Sequence, residues 1–430
     1  MVLSVVIVWQ NKANPASQKN SEINPFTNGG NDRNMIVVIS DLHLGADLAY
    51  AECNKNRSSL QKLLKQISVS PNVKELVIAG DLLDEWFVPA TIDTYAGKDQ
   101  RDFVQRIAAT NKDVIDSFND IIQAGKILVT YVPGNHDMAI TAENIDLILP
   151  GINQARDQEQ GLGTYSPADY PKIAIEHGHR YNFFCAPDPI SNQDIAPGTI
   201  MPPGYFVTRI IALHVLQNHP QLGDTMPVVT KATSGSASQN SLFAYWKLWE
   251  WVINYTPIKD KLNEKIIVTN IDGFNKKYAL SDLLPYQRTA GGKINMNLFK
   301  GIQDTWDQRQ ALNHVAVNIP VDQAIAKSAS VEEADNQAIT QYFINPNSDK
   351  RIVVFGHTHV AKIISSNNYN GQKSIYANSG TWIDHNPELT TMNFIVITPQ
   401  NADKSSQTYV KLYNFEGEVI TKMAEDYLRY

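Results

Sequence analysis

Short apolar runs alternate along this chain with longer stretches of helical periodicity. Met35 to Ser40, Leu76 to Ala79, Ile127 to Val132 and Lys172 to Glu176 predict strands in the first half. Ile352 to Phe355, Ser374 to Ala377, Met392 to Thr398 and Thr408 to Tyr413 predict more near the end, with turn signals at Asn370-Gly371 and Glu416-Gly417. Arg57 to Val69 and Arg101 to Ala124 place apolar residues at amphipathic-helix spacing. Strands alternating with helices predict an α/β layered domain with its working residues on loops at strand ends.

The middle of the chain follows another pattern. Pro202-Pro203-Gly204 leads into Tyr205 to Gln217, a helix apolar on most sides, and a small-residue linker follows at Ala232 to Ser241. Leu242 to Tyr255 is an aromatic helix with Phe243, Tyr245, Trp246, Trp249, Trp251 and Tyr255, and further helical segments are predicted near Asn297 to Leu312 and Val331 to Phe343. The expected organisation is a core of residues 35–185 and 346–430, interrupted by a mainly helical cap of residues 186–345. Rings of this size usually pack as core, the alternatives being an apolar subsite for a lipid or aryl group, or contact with a membrane surface.

Residues 1–34 differ again. Val2 to Trp9 is apolar, Gln10 to Asn34 is polar, and the whole is expected to be a flexible N-terminal segment. Two readings are open: a weak or truncated export signal without the usual basic start, or a stray strand or frayed tail. The first favours an exported, periplasmic or cell-envelope location over the cytoplasm, and the run is too short to span a membrane.

A length of 430 residues with 43% hydrophobic content is enough for more than one structural unit. The net charge of -7 argues against a protein built to hold a nucleic-acid backbone. Cys53 and Cys185 give neither a disulfide framework nor zinc-finger spacing.

Candidate chemistry sits in five motifs: Asp41-Leu42-His43, Gly80-Asp81-Leu82-Leu83-Asp84, Gly134-Asn135-His136-Asp137, His177-Gly178-His179 and Gly356-His357-Thr358-His359. Six of the 10 histidines fall within them, whereas His214, His219, His314 and His385 show no ligand spacing. Imidazole, carboxylate and amide oxygen are the donors that divalent metals use. A pair of metals about 3.5 to 4 Å apart can clamp a phosphoryl group, and such a pair needs a bridging carboxylate. Asp81 suits that bridge. Asp41, His43 and His359 would complete one side, and Asn135, His177 and His357 the other. Asp41 and His43, two positions apart past a strand, are expected to project together. His136 is free to act as an acid, protonating the leaving alkoxide of an ester, with Asp84 orienting its ring. The expected nucleophile is a hydroxide held by the metals.

In these motifs the chain resembles the calcineurin-like metallophosphoesterases, whose pattern runs DxH, GDxxD, GNH(D/E), a lone H and GHxH. The resemblance implies a four-layer β-sandwich flanked by helices, with the ligands on loops at one edge. It implies Asp41, His43, Asp81 and His359 at one metal, and Asp81, Asn135, His177 and His357 at the other. It also implies His136 as the acid with Asp84 as its partner. Asp41-Leu42-His43-Leu44-Gly45 and Gly80 to Trp86 are further similar to the UDP-2,3-diacylglucosamine hydrolase branch, which carries arginine where this chain has His136. Two divalent ions, Mn, Fe or Zn, are the expected cofactors, and a phosphorylated small molecule or phospholipid-like ester the expected substrate, mono- or diester. His179, Arg180 and Arg209 are candidate substrate contacts. The alternatives are a nuclease, a lipid-linked pyrophosphate hydrolase, and a non-catalytic metal-binding module.

Overall fold

The computed structural model describes residues 24–158, 160–387, 389–400 and 407–429. In chain order the first half carries β1 (Met35–Ile39), α1 (Arg57–Ser68), β2 (Val73–Ala79), α2 (Gln100–Thr110), α3 (Lys112–Ala124), β3 (Leu128–Val132), α4 (Ala142–Ile148), β4 (Asn153–Gln154), β5 (Thr164–Tyr165) and β6 (Ile173–Glu176). The middle carries α5 (Pro203–Leu216), α6 (Ala237–Tyr255), β7 (Ile267–Val268), β8 (Lys277–Tyr278), α7 (Leu280–Leu283), β9 (Tyr286–Gln287), β10 (Ile294–Asn295), α8 (Trp306–Leu312), α9 (Val321–Ala326) and α10 (Val331–Ala338). The chain ends with β11 (Ile352–Phe355), β12 (Lys362–Asn367), β13 (Lys373–Asn378), β14 (Asn393–Thr398), β15 (Gln407–Glu416) and β16 (Val419–Arg429).

Two sheets form the sandwich, in the orders β16-β15-β14-β1-β2-β3-β4 and β12-β13-β11-β6-β5. Alternate residues explain how they stack. Ile36 and Val38 of β1 face inward with Val77, Val354, Ile375 and Ile395 in the core between the sheets. Val37 and Ile39 face outward, in the same cluster as Leu60, Leu63, Phe103 and Phe118 of the covering helices. With both faces covered, the central strands must be apolar throughout, and therefore read as continuous runs. The strands β1, β2 and β3 run parallel, as do β6, β11 and β13, so their C-terminal ends gather at shared edges.

Several expectations change. The helix expected over Arg101 to Ala124 is two helices, broken at Asn111, whose side-chain amide donates to the carbonyls of Gly45 and Ile107 at 2.9 Å each. Residues 24–34, expected to be flexible, are held in place: Phe26 is buried and stacks on Phe394 with ring centres 5.7 Å apart. The stretch Val2 to Trp9 lies outside the described residues. The turn signal at Glu416-Gly417 joins β15 to a further strand, β16, which pairs with it.

The segment between β6 and β11 mixes helices with two short ladders, β7-β8 and β9-β10. The linker expected at Ala232 to Ser241 is shorter, because Ser236 caps α6 by accepting from the Gln239 N–H. The helix expected near Asn297 is confined to Trp306–Leu312, since Phe299 and Gly301 before it take left-handed backbone. In α6, Tyr245, Trp246 and Trp249 are core, whereas Trp251 and Tyr255 reach the surface. Among the described residues, no helix is long and apolar enough to cross a membrane.

Candidate metal centre

Five loops at the C-terminal ends of β1, β2, β3, β6 and β11 converge at one edge of the sandwich. The loops after β1 and β2 are laced by backbone hydrogen bonds: Asp41 N–H to the Gly80 carbonyl at 3.1 Å, and Leu42 and His43 N–H to the Asp81 carbonyl at 2.8 and 2.9 Å. Asp137, given no role by the sequence reading, ties the next loop in. Its carboxylate accepts from the N–H groups of Leu82, Leu83 and Gly134 at 2.8, 3.2 and 2.7 Å.

Asp41 and His43 do not project together by strand geometry. Both lie past the end of β1 with φ of 54° and 48°, and Asp81, His357 and His359 share that left-handed backbone at 52°, 68° and 60°. Such conformations are unfavourable for residues with a side chain and persist where surrounding bonds fix them. Close approach adds a further constraint. A Cβ on Gly134 would lie 2.1 Å from the Asp81 Oδ1, so only glycine lets this loop pass the carboxylate.

The side chains form overlapping groups. Asp41, His43 and His359 bring ligand atoms within 4.8 Å of one another, as do Asp41, Asp81 and His177, and His43, Asp81 and His136. His359 Nε2 is 3.1 Å from Asp41 Oδ1, and His177 Nε2 is 3.2 Å from Asp81 Oδ2 and 3.1 Å from Asn135 Oδ1. The His357 ring centre stands 5.1 Å from that of His177. All seven expected ligands are thus at one place, and Asp41 as well as Asp81 lies in more than one group. The donor set fits a divalent cation: His43 Nε2 faces His359 Nε2 at 3.2 Å, and His359 Nδ1 is buried without a hydrogen-bond partner.

Residues 35–200 match the family model for calcineurin-like phosphoesterases. No curated protein matches the sequence. Among solved structures, a single mutant of Vps29 from Entamoeba histolytica aligns at 9% identity with a TM-score of 0.28, over 92% of this chain and 99% of that one. A score that low bears on neither fold nor activity.

Within the matched region, Asp84 links two histidines. Its Oδ1 is 2.8 Å from His136 Nδ1 and its Oδ2 is 2.9 Å from His43 Nδ1. The backbone N–H groups of Trp86 and Phe87 donate to the same Oδ1 at 2.9 and 2.7 Å. Burial opposes its charge, but the charges and hydrogen bonds of His136 and His43 hold the Asp84 carboxyl far below the usual carboxylate range. The Trp86 ring stacks on His136 at 5.0 Å, fixing its plane. Glu52 stands 3.5 Å from His43 Nδ1. The sequence reading gave Glu52 and Trp86 no role; Trp86 was adjacent to a motif, whereas only tertiary structure brings Glu52 near.

The metal-free electrostatics divide the histidines. Burial works against charge on His43, but the Asp84 hydrogen bond and the charges of Asp84, Asp81 and Glu52 outweigh it and raise its pKa to about 10. His177 is raised to about 9, again against burial, chiefly by Asp81 and Asp41. Burial and the neighbouring His177 lower His357 to about 3, and burial also lowers His359.

Three candidate substrate contacts fare differently. Arg180 is buried against Glu176 at 2.8 Å and Asp157 at 3.1 Å, so its charge is already matched and it is no free phosphate clamp. Arg209 is buried inside the molecule, where it donates to the carbonyls of Val88, Pro89, Ala90, Ile92 and Val268. It braces the chain between β2 and α2 against the middle segment. His179 does lie beside the cluster, its ring 5.3 Å from His177 and 6.4 Å from His357, and neither of its nitrogens meets a hydrogen-bond partner.

A cleft opens over the cluster, with Asp81, Asn135, His136, His357 and His359 at its floor.

Proposed function

We propose that the protein is a metal-dependent phosphoesterase that hydrolyses a phosphate mono- or diester, holding two divalent ions, Mn, Fe or Zn. Asp41, His43, Asp81 and His359 would hold one ion, and Asp81, Asn135, His177 and His357 the other. Bound cations of this kind offset phosphoryl charge and activate water.

The observation that carries the reading is His136. Its ring is fixed by Asp84 on one side and Trp86 on its face, in a cleft floored by the ligands. With Nδ1 committed to the carboxylate, Nε2 is the nitrogen left to give a proton to the ester oxygen as the phosphorus–oxygen bond breaks. Asp84 stabilises the ring while it is charged. A nuclease is disfavoured because no lysine or arginine is among the described residues lining the cleft, and the chain is acidic overall.

The test is metal content by mass spectrometry together with hydrolysis of chromogenic phosphomonoesters and diesters, with Mn²⁺, Zn²⁺ or a chelator. Asp81→Ala should lose bound metal and activity together. A fully active Asp81→Ala protein would overturn the mechanism, and failure on every ester would favour a binding module.

A further inference from the structure

The walls of the cleft come from residues outside the five motifs. Phe184 precedes α5, Val207 lies on α5, and Leu248, Trp251 and Val252 lie on α6. Apart from Asp81 and the histidines at the floor, no ionisable group among the described lining residues except the Cys185 thiol offers a charge, and burial raises that thiol far above neutrality. Lys327 lines a smaller neighbouring cleft that shares Ser328 and His357, but Glu333 stands 3.9 Å from it. At the mouth, Trp251 is 36% exposed and stacks on Tyr255, itself 52% exposed, with ring centres 5.6 Å apart. An apolar surface therefore runs from the metal ligands out to solvent.

We infer that the phosphoester cleaved here has an uncharged, apolar leaving alcohol, seated against Val207, Leu248 and Trp251. This rests on the phosphoesterase reading and narrows it. The phosphoryl group is served by the floor, and beyond it the polar side chains among the described lining residues are the hydroxyls of Thr208 and Ser328 and the Cys185 thiol. The alcohol must cross a wall that offers a sugar, nucleotide or polyol few hydrogen-bond partners, and stripping water from unpaired hydroxyls is costly. An alkyl or aryl group gains instead, by about fourfold per buried methylene.

The experiment compares octyl phosphate with glycerol phosphate on the Mn²⁺-loaded full chain, and measures binding of octylphosphonate, phenylphosphonate and methylphosphonate by calorimetry. Glycerol is the better leaving alcohol of the two, so a preference for octyl cannot come from intrinsic reactivity. The expected result is a kcat/KM at least tenfold higher for octyl phosphate, carried by KM, and octyl- or phenylphosphonate at least tenfold tighter than methylphosphonate. Which of the two binds more tightly separates an alkyl from an aryl occupant. Both ratios should fall toward one in Trp251→Asp and in Leu248→Asn, two positions not fully buried and so tolerant of change, while Val69→Asp on the remote surface leaves them unmoved.

Ratios near one in the parent protein would overturn the inference, as would ratios indifferent to both variants. No turnover alongside selective octylphosphonate binding would overturn the phosphoesterase reading and keep the apolar subsite. No turnover and no selectivity would overturn both.

Discussion

Asp84 holds His136 with one oxygen and His43 with the other, so a single carboxylate orients both the proposed acid and a proposed ligand. The two functions separate by mutation. His136→Ala should lower kcat by about 10² to 10⁴ with metal content unchanged. Asp84→Asn should lower kcat too, and also weaken metal binding by about 10 to 100-fold, because the ligand His43 loses its anionic partner. Steady-state kinetics paired with metal analysis read both, and an Asp84→Asn protein with normal metal affinity would break the link. The same partner raises His43 to about 10, and His177 stands at about 9, so at neutral pH a cation must displace a proton from each. Metal affinity should therefore rise between pH 7 and 9, by up to about tenfold per proton per pH unit. Without metal the sign reverses. Both folded-state pKa values lie above the ordinary 6.5, so the stability they contribute is full below pH 6.5 and lost as pH rises through 9 and 10. Glu85, a buried acid raised to about 8, is also lost upward in pH. The Tm of the chelated protein should fall from pH 6.5 to 10, and a flat profile would contradict these assignments.

The strands bearing the motifs were legible in the sequence because both of their faces are buried, which leaves unbroken apolar runs before each motif. Edge strands were not. The strand β12, Lys-Ile-Ile-Ser-Ser-Asn, is half exposed along its length, and β16 carries charges at Lys422, Glu425 and Asp426, so neither stands out as an apolar run. Legibility of the site has the same character. The proposed ligands lie in local motifs, but the partners of Arg209 come from residues 88–92 and 268, which only folding brings to it. The left-handed backbone at five site residues was likewise invisible, since nothing in Asp41-Leu42-His43 marks a departure from extended geometry. The loops between elements nonetheless control the site. In Gly134→Ala the new methyl group would collide with Asp81, so metal affinity should drop at least tenfold while the far-ultraviolet circular dichroism stays the same. Unchanged metal binding would mean that this loop can move aside at little cost.

At the scale of the whole molecule, two parts of the chain meet at the cleft: loops of the sandwich supply its floor, and the segment between β6 and β11 supplies its apolar wall. What fixes that wall is Arg309 on α8. It is fully buried and donates to the carbonyls of Phe183, Ala186 and Pro187, with its guanidinium 5.2 Å from the Trp306 ring. Burial pulls its pKa down, and these acceptors, with the nearby charge of Asp188, compensate a charge removed from water. They flank Phe184 and Cys185, which line the cleft. Arg309→Met keeps much of the volume but leaves three carbonyls without their donor, a loss on the order of 3 kcal/mol or more. None of the seven proposed ligands hydrogen-bonds to Arg309, so metal content should survive at ordinary temperature while Tm falls by several degrees. Octylphosphonate affinity should weaken at least tenfold, because the wall it needs is no longer pinned. Calorimetry and metal analysis on the same preparation decide the matter: metal lost in step with the apolar ligand would show that the wall and the metal centre rise and fall as one cooperative unit.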